Sequence, residues 1–555
     1  MKRLNIYLLL TFLICAVQAQ EEYRERVFVH TDKSCYLAGE TIWLKFCVVT
    51  REDTVSALSK VGYVELKDTE MPWLQTKIAL VGNQGATALN LPKDMPTGTY
   101  QLTGYTRYMR NEGDEAYFKK ELAVINPLQV SEKDRYELFD SLAVYQDKKE
   151  VQSDLRIVSL QSVYGLRSLV DLSIDGLPEG LADLAVSVFR EDSLTVPAMQ
   201  KNRLPGAVAH FSAEWIPEYE GHIISGEVPD KTGEEIKADI GLLGRDVRYI
   251  QGQVMPDKQV NFYTGKVYGK QDVVFSARGN TTGRMYKIEL TTPFDKTLPR
   301  QLPVLKIYPK QHALLQRSLQ VQLEEMNRDT TARREDVHTV GSYYPYRPHL
   351  SYDLDEYTRF KTLEETFVEF VRRVTVRTVN GKRRIKVLKE DNNQYNMGNT
   401  LVLLDGVPIY DHEEMLKYDP AFVRRIDVYS GKYMFGPELY ECMVQFTTYK
   451  GNLSGIQLDN NRQMLTYDFP ALPVAFVMPD YSSAEMKVSR YPDFRHTLYW
   501  NPNADKEIRS KKKLSFYTSD IPGRYRVVVE GLSKRGETIY ATSSFIVSSI
   551  KSPTL

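Results

Sequence analysis

The sequence predicts a mainly β protein with several β-sandwiches in series and one α+β domain among them. Short segments that alternate apolar and polar residues, separated by Gly, Pro and Asn, fill much of the chain, as expected for strands with one packed face. Tyrosine is abundant, with 36 residues against four tryptophans, and it favours strands whose outer face stays wet. Between residues 355 and 452 helical and strand patterns alternate instead, which indicates a separate α+β domain.

The length of the chain sets the number of domains. A chain of 555 residues is too long for one core, and roughly four or five domains are expected. The predicted order is a signal peptide at 1–19, a β-sandwich at 20–127, further β-sandwiches at 150–220 and 221–305, a helix and linker at 306–350, the α+β domain at 355–452 and a β-rich segment at 453–555.

The first residues are typical of a signal peptide. A positively charged start precedes an apolar run from residue 6 to 17, and Val17-Gln18-Ala19 offers small residues for cleavage before Gln20. The alternatives are a membrane anchor, which needs roughly 20 apolar residues, and a lipid on Cys15, which Ile14 in front of it disfavours. We therefore expect an exported protein without a transmembrane helix, located in the periplasm, in the outer membrane or at the cell surface.

Charge and cysteine content exclude two broad classes. Lys plus Arg and Asp plus Glu both total 72, so no general electrostatic attraction to nucleic acid is expected. After cleavage three cysteines remain, Cys35, Cys47 and Cys442, too few for a disulfide framework. A bridge between Cys35 and Cys47 and buried free thiols are both open, and the free thiols are favoured.

The first domain carries a strand pattern and a recognisable motif. Ile42, Leu44, Phe46 and Val48 alternate and should share the core face of one strand. Residues 27–42, with Thr-Asp-Lys at a turn and then a Tyr and a Gly before the next strand, resemble the second macroglobulin domain of α2-macroglobulin-like proteins. The resemblance implies macroglobulin or immunoglobulin-like sandwiches. The Gly-Cys-Gly-Glu-Gln thioester motif of that family is absent, so covalent capture of proteases is not expected.

A helix is predicted after the middle sandwiches. Leu315, Leu319 and Leu323 align at intervals of four over 312–326, and the polar stretch Asn327–Val340 is expected to be a linker.

The α+β domain at 355–452 has its own motifs. Thr362-Leu363-Glu364-Glu365 is a capping box that predicts a helix start, and Asp405-Gly406 predicts a turn. Asp405-Gly406-Val407-Pro408, Ile426-Asp427-Val428 and Phe446-Thr447-Thr448, in this order, resemble the plug domain of TonB-dependent outer-membrane receptors. The 103 residues at 453–555 are too few for a receptor barrel, so none is expected in this chain.

The last segment completes the resemblance. Residues 453–555 are similar to C-terminal macroglobulin-type segments of large Bacteroidetes envelope proteins that combine macroglobulin and plug-like parts, and the whole chain resembles that group.

Catalytic and metal-binding patterns are missing from the sequence. The eight histidines are scattered, and no His-x-x-x-His, Cys-x-x-Cys, Gly-x-Ser-x-Gly or phosphate-loop motif occurs. Asp411-His412-Glu413-Glu414 is more simply a helix start than a metal site, because acidic residues stabilise a helix N-terminus. A carboxylate pair that meets across domains stays open as a minor, glycosidase-like alternative. We therefore predict no enzyme, no cofactor and no metal.

A binding role remains as the leading interpretation. Aromatic residues crowd the end of the plug-like domain, and Tyr433, Met434, Phe435 and Tyr440 are the candidate partner-binding residues, since such residues are enriched at contact sites. The expected function is that of a non-catalytic scaffold whose plug-like domain docks on another envelope protein, such as an outer-membrane transporter or complex. Membrane association would then run through partners. The alternatives are an accessory subunit of TonB-dependent nutrient uptake and a thioester-free, macroglobulin-like protease inhibitor.

Overall fold

The computed structural model describes most of the chain outside its two ends. The predicted signal peptide and much of the predicted linker lie outside the described residues. The described ranges are 24–50, 58–128, 135–138, 155–178, 180–191, 194, 211–230, 232–244, 247–308, 311–328, 347–389, 394–396, 398–511, 513–534 and 537–549.

Strands dominate the described residues, as the sequence predicts. In chain order they are β1 (Glu25–Thr31), β2 (Cys35–Leu37), β3 (Thr41–Thr50), β4 (Val61–Lys67), β5 (Pro72–Ala79), β6 (Gln84–Asn90), β7 (Gly98–Thr106), β8 (Phe118–Ile125), β9 (Tyr136–Leu138), β10 (Arg156–Ser159), β11 (Val163–Tyr164), β12 (Leu169–Asp175), β13 (Leu181–Arg190), β14 (Ile223–Glu227), β15 (Ile236–Leu242), β16 (Arg248–Val254), β17 (Gln259–Tyr263), β18 (Lys270–Gly279), β19 (Met285–Tyr286), β20 (Glu289–Leu290), β21 (Leu305–Ile307), β22 (Leu350–Asp353), β23 (Val374–Val379), β24 (Lys382–Val387), β25 (Thr400–Leu404), β26 (Val407–Pro408), β27 (Val423–Tyr429), β28 (Tyr433–Phe435), β29 (Glu438–Tyr440), β30 (Cys442–Thr448), β31 (Gln463–Asp468), β32 (Thr497–Asn501), β33 (Leu514–Tyr517), β34 (Gly523–Ser533) and β35 (Thr538–Val547).

The helices in the described ranges are fewer than the strands. They are α1 (Gln311–Arg328), α2 (Leu363–Glu369), α3 (His412–Leu416), α4 (Ala484–Lys487) and α5 (Ala504–Lys511), with 3-10 turns at Tyr108–Glu112, Asp114–Ala116, Leu354–Glu356 and Pro420–Phe422. The chain divides into two compact units. Unit 1 comprises Met1–Tyr219, Phe294–Arg334 and Pro470–Leu555, and unit 2 comprises Glu220–Pro293 and Glu335–Phe469.

Unit 1 begins with the predicted N-terminal sandwich. One sheet has the order β1-β3-β6 and the other the order β2-β8-β7-β4-β5. Ile42, Leu44, Phe46 and Val48 are at most 1% exposed and belong to one core, so the predicted face of β3 is confirmed. Alternation along an antiparallel strand, which sends every second side chain inward, is sufficient to specify this face.

The second sandwich of unit 1 corrects the predicted domain order. Its sheets have the orders β10-β12-β33 and β11-β35-β34-β13-β32, and they share one hydrophobic core. Strand β13 lies between β34 and β32, so the segments 150–220 and 453–555 supply one sandwich together instead of one each. An alternating pattern specifies the apolar face of a strand but not the strand that pairs with it, which explains the difference.

Helix α1 is present, but its packed side differs from the prediction. Leu315 and Leu319 are 67% and 58% exposed. Leu314 and Val321 pack on a small core, and Arg317 between them is buried. The rotation of this helix follows from Arg317, whose guanidinium donates to the Glu40 carboxylate at 2.8 and 2.9 Å.

Unit 2 contains a large sheet and the α+β fold. The sheet has the order β19-β18-β15-β16-β17-β14-β20, and β31 from residues 463–468 pairs with β18, so the segment 453–555 is divided between the two units. The α+β part has a five-stranded sheet of order β22-β27-β30-β25-β26, with α2, α3 and the hairpin β23–β24. The mainly β class with one α+β domain is thus confirmed.

The predicted capping box starts helix α2. The Thr362 side chain accepts a hydrogen bond from the Glu365 N–H, and the Glu365 carboxylate accepts one from the Thr362 N–H. The apolar residues Leu363, Phe367 and Val371 enter one core with residues of β25, β27 and β30.

Candidate functional site

The predicted partner-binding residues lie on a β-hairpin in unit 2. Strands β28 and β29 pair Tyr433 with Tyr440, Met434 with Leu439 and Phe435 with Glu438, and Gly436 with φ +59° forms part of the turn. Side chains alternate across the strands, so Met434 and Leu439 share one face. Both are 58% exposed, whereas Tyr440 is 8% exposed.

The opposite face of the hairpin is anchored by aromatic contacts. The Phe435 ring lies 4.2 Å from the ring of Tyr249 on β16, and the Tyr433 ring lies 5.6 Å from that of Tyr429. Tyr440 is buried in the same small core against which Tyr433 and Phe435 pack. These three predicted residues therefore hold the hairpin in place.

A half-buried carboxylate, that of Glu438, anchors the hairpin as well. Glu438 accepts hydrogen bonds from Arg278 at 2.7 Å, Lys237 at 2.8 Å and the Tyr440 hydroxyl at 2.7 Å. Burial raises the pKa of Glu438, but the bonds from Lys237 and Tyr440 and the charge of Arg278 outweigh it and hold the pKa below its usual value. The hairpin is consequently tied to β15 and β18 by a charged cluster.

The four predicted residues differ in how far their side chains are exposed to solvent. Met434 is the one with most of its side chain in solvent, and Leu439, which is not among the four candidates, stands beside it. The alternation on either side of Gly436 is the sequence signal that separates the two faces.

Beneath the hairpin lies a polar cluster around Asp239 of β15. The Tyr410 hydroxyl donates to Asp239 at 2.7 Å, and the Arg278 guanidinium lies over the Tyr410 ring at 4.4 Å. Burial raises the pKa of Asp239 to about 6, because the hydrogen bond from Tyr410 and the charges of Arg462 and Arg278 compensate only in part. This carboxyl group can therefore take up a proton near neutral pH.

Two acidic motifs of the α+β domain, at Asp405 and at Asp411, have structural roles. Asp405 has φ +49° and accepts hydrogen bonds from the Thr448 N–H and hydroxyl at 2.7 Å and from the Leu453 N–H at 2.9 Å, so Asp405-Gly406 is the predicted turn. Asp411 caps α3, and His412 Nδ1 accepts from the Ile385 N–H at 3.0 Å. Burial lowers the pKa of His412 to about 4, so its imidazole is neutral.

The motif at 27–42 forms a buried polar network inside unit 1. His30 Nε2 lies 2.8 Å from Asp183 Oδ2, and His30 Nδ1 lies 3.3 Å from Glu530 Oε2. Lys45 contacts the other oxygen of Asp183. Burial lowers the pKa of His30, but the two carboxylates outweigh it and raise the pKa above 6.5.

The rest of this motif extends the network. Asp32 accepts hydrogen bonds from the Tyr36 hydroxyl at 2.7 Å and the Thr497 hydroxyl at 2.8 Å. Glu40 accepts from Arg317 and also from Lys33 at 2.8 Å. The polar residues of the motif thus connect the N-terminal sandwich to the second sandwich and to α1, a role that the sequence pattern did not reveal.

Unit 1 also contains a polar cavity of 470 Å³. It lies against β4, β7 and β8, with Lys67, Gln101 and Thr103 in its lining, and the segment 295–301 crosses it. The Tyr117 hydroxyl donates to Asp295 at 2.9 Å, which fixes that segment. Three basic and three acidic side chains line the cavity, so their charges cancel.

Three further features bear on chemistry. None of Cys35, Cys47 and Cys442 forms a disulfide, so the bridge between Cys35 and Cys47 is not formed. Among the described residues no three His, Cys, Asp or Glu side chains are grouped to hold a metal ion. Of the helices in the described ranges, none combines the length and the apolar character needed to cross a membrane.

The fold defines a class, namely mainly β proteins in which sandwiches accompany an α+β domain. No protein-family model matches the sequence, and a comparison with curated proteins gives no match. Among solved structures, the chain is similar to Salmonella alpha-2-macroglobulin reacted with methylamine, at 10% identity over 95% of this chain and 23% of that chain, with a TM-score of 0.16.

Two other solved structures show similarities of the same order. Trypsin-activated alpha-2-macroglobulin from Escherichia coli matches at 9% identity over 95% of this chain and 23% of that chain, with a TM-score of 0.16. The CARDB domain of the PF1109 protein from Pyrococcus furiosus matches at 9% identity over 19% of this chain and 94% of that chain, with a TM-score of 0.15. The chain spans less than a quarter of either macroglobulin. TM-scores this low support no conclusion about fold or function.

Proposed function

We propose that the protein is an exported, non-catalytic binding and scaffold protein of the bacterial cell envelope, in the periplasm or at the outer membrane. Its docking element is the outer face of the hairpin β28–β29 in the plug-like domain, and its partner is another envelope protein. The resemblances of residues 27–42 and 355–452 support the cellular setting. The observation that carries the docking proposal is the exposed pair Met434 and Leu439.

Met434 and Leu439 are suited to binding because contacts on the opposite face of the hairpin hold them in position. Phe435 and Glu438 connect the opposite face of the hairpin to Tyr249, Arg278 and Lys237. Binding of a partner to the outer face would therefore cost little conformational entropy, because the hairpin is already ordered. Methionine adapts its shape to an irregular surface, and methionine is enriched at protein contacts.

The test compares full-length variants as baits on detergent-solubilised envelope. Met434→Ser with Leu439→Ser removes the apolar outer face and leaves the anchored face intact. Met464→Ser is the matched control, because Met464 is a half-exposed methionine on another strand of the same unit. We expect the wild type and the control to capture the same partner and the double variant to lose it.

The identity of the captured protein separates the alternatives. An outer-membrane transporter would support an accessory role in nutrient uptake, and a protease would support inhibition. Equal capture by the double variant and the wild type, or no capture by the wild type, would contradict the docking face.

A further inference from the structure

A loop of unit 1, residues 482–492, leaves the second sandwich and returns to it at a closed neck. At the neck the Tyr481 hydroxyl donates to Asp493 Oδ2 at 3.0 Å. Arg495 also donates to Asp493, at 2.7 Å, which fixes the returning end. Compact loops with adjoining ends are Ω-loops, which often carry function. We call residues 482–492 the Arg167 loop, because the Arg167 side chain binds their backbone.

One guanidinium holds the backbone of this loop. Arg167 donates to four of its backbone carbonyls, those of residues 486, 487, 489 and 491, at 2.7–3.3 Å. Asp520 holds the same guanidinium from the other side with two bonds of 2.7 and 2.6 Å. Arg167 itself has φ +48°, a conformation that is unfavourable for a non-glycine residue. The loop conformation is therefore fixed by a partly buried ionic contact.

The side chains of the fixed loop point to solvent although three of them are apolar. Met486 is 44% exposed, Val488 79% and Tyr491 84%. Because its backbone carbonyls bind Arg167, the loop cannot turn these side chains inward without breaking those bonds. Apolar groups held outward on a rigid loop contribute nothing to the core and are typical of a contact surface.

Charge indicates the kind of surface that the loop contacts. Lys487 and Arg490 are exposed between the apolar residues, and no carboxylate occurs from 486 to 491. The carboxylate of Asp520 is paired with Arg167. The exposed acid Asp480 lies just before the loop, and the exposed acid Glu485 lies in the loop ahead of this stretch. The part of the loop that carries the exposed apolar residues is therefore positively charged.

We propose that the Arg167 loop inserts into the headgroup region of an anionic lipid bilayer. Val488, Tyr491 and Met486 enter the interface, where a tyrosine ring can bury its apolar body and keep its hydroxyl wet. Lys487 and Arg490 contact lipid phosphates. This contact does not depend on the hairpin β28–β29, and it brings the chain to a membrane surface without a transmembrane helix.

Cosedimentation with vesicles of stated composition tests the proposal. One set contains phosphatidylcholine with about one-third phosphatidylglycerol and the other phosphatidylcholine alone, at about 0.1 M salt. We expect binding to the anionic set, and we expect Val488→Ser with Tyr491→Ser to lower it by about tenfold or more. Val368→Ser is the matched control, since Val368 on α2 is 78% exposed, and it should leave binding unchanged.

Two further readouts distinguish insertion from other causes. The melting temperature of the double variant should equal that of the wild type, because the changed side chains are mostly in solvent. Lys487→Glu with Arg490→Glu should abolish the preference for anionic vesicles. The proposal would be overturned if the wild type did not bind anionic vesicles, or if the double variant bound them equally well. It would also be overturned if the double variant lost a captured protein while its vesicle binding stayed the same.

Discussion

The packing of Phe46 in the N-terminal sandwich allows a quantitative prediction. Phe46 is fully buried on β3, and a Cβ placed on Gly62 of β4 would lie 2.6 Å from its ring. The absence of a side chain at Gly62 therefore makes the space for the ring. Phe46→Ala should cost about 3–5 kcal/mol of unfolding free energy through the cavity it leaves. Gly62→Ala should cost about 1–3 kcal/mol, because the added methyl group forces the ring out of its position.

The two changes should compensate when they are combined. The methyl group of Gly62→Ala enters the space that Phe46→Ala leaves, so the double variant should be more stable than the sum of the single effects by about 0.5–3 kcal/mol. Urea unfolding of the full chain measures the free energies, and hydrogen exchange of β3 and β4 assigns the transition to this sandwich. The control combines Gly62→Ala with Val186→Ala in the other sandwich, whose effects should add within about 0.5 kcal/mol. Additive effects of Phe46→Ala and Gly62→Ala would refute the packing.

Two further predictions concern the buried network of unit 1. Arg317→Ala should destabilise the protein by about 3–5 kcal/mol, because it leaves the buried Glu40 carboxylate without its main partner. Despite burial, the charges of Arg317 and Lys33 lower the pKa of Glu40. The stability that this carboxylate contributes is therefore present above pH 4.5 and is lost as the pH falls. The stability of Arg317→Ala should not show this loss in acid. For His30 the sign is opposite: its pKa is raised above 6.5 by Asp183 and Glu530, so its contribution is complete below pH 6.5 and is lost as the pH rises through the folded value. Melting temperatures between about pH 6 and pH 9 should fall less for His30→Gln than for the wild type, and an equal slope would contradict this assignment.

Local features of the sequence determined much of the fold class. Alternation over Ile42–Val48 specified the core face of β3, and Thr362 with Glu365 marked the start of α2. Asp405-Gly406 specified a turn, because the positive φ that a tight turn needs is tolerated by glycine and aspartate. In each case the pattern that decides the element spans only a few positions, so the order of residues is sufficient to reveal it.

The partners of these elements were decided by the tertiary structure. The alternation in β13 is satisfied by any strand with an apolar face, and only the folded chain places β13 between β34 and β32, more than 300 residues away. Arg317, and not the leucines, sets which side of helix α1 packs inward, because the buried Glu40 carboxylate requires the Arg317 guanidinium. In the same way, the four carbonyls around Arg167 come from residues 486–491, so the sequence near Arg167 carries no sign of the loop it holds. Pairings across such distances depend on which surfaces meet in space, and that information appears only after the chain has folded.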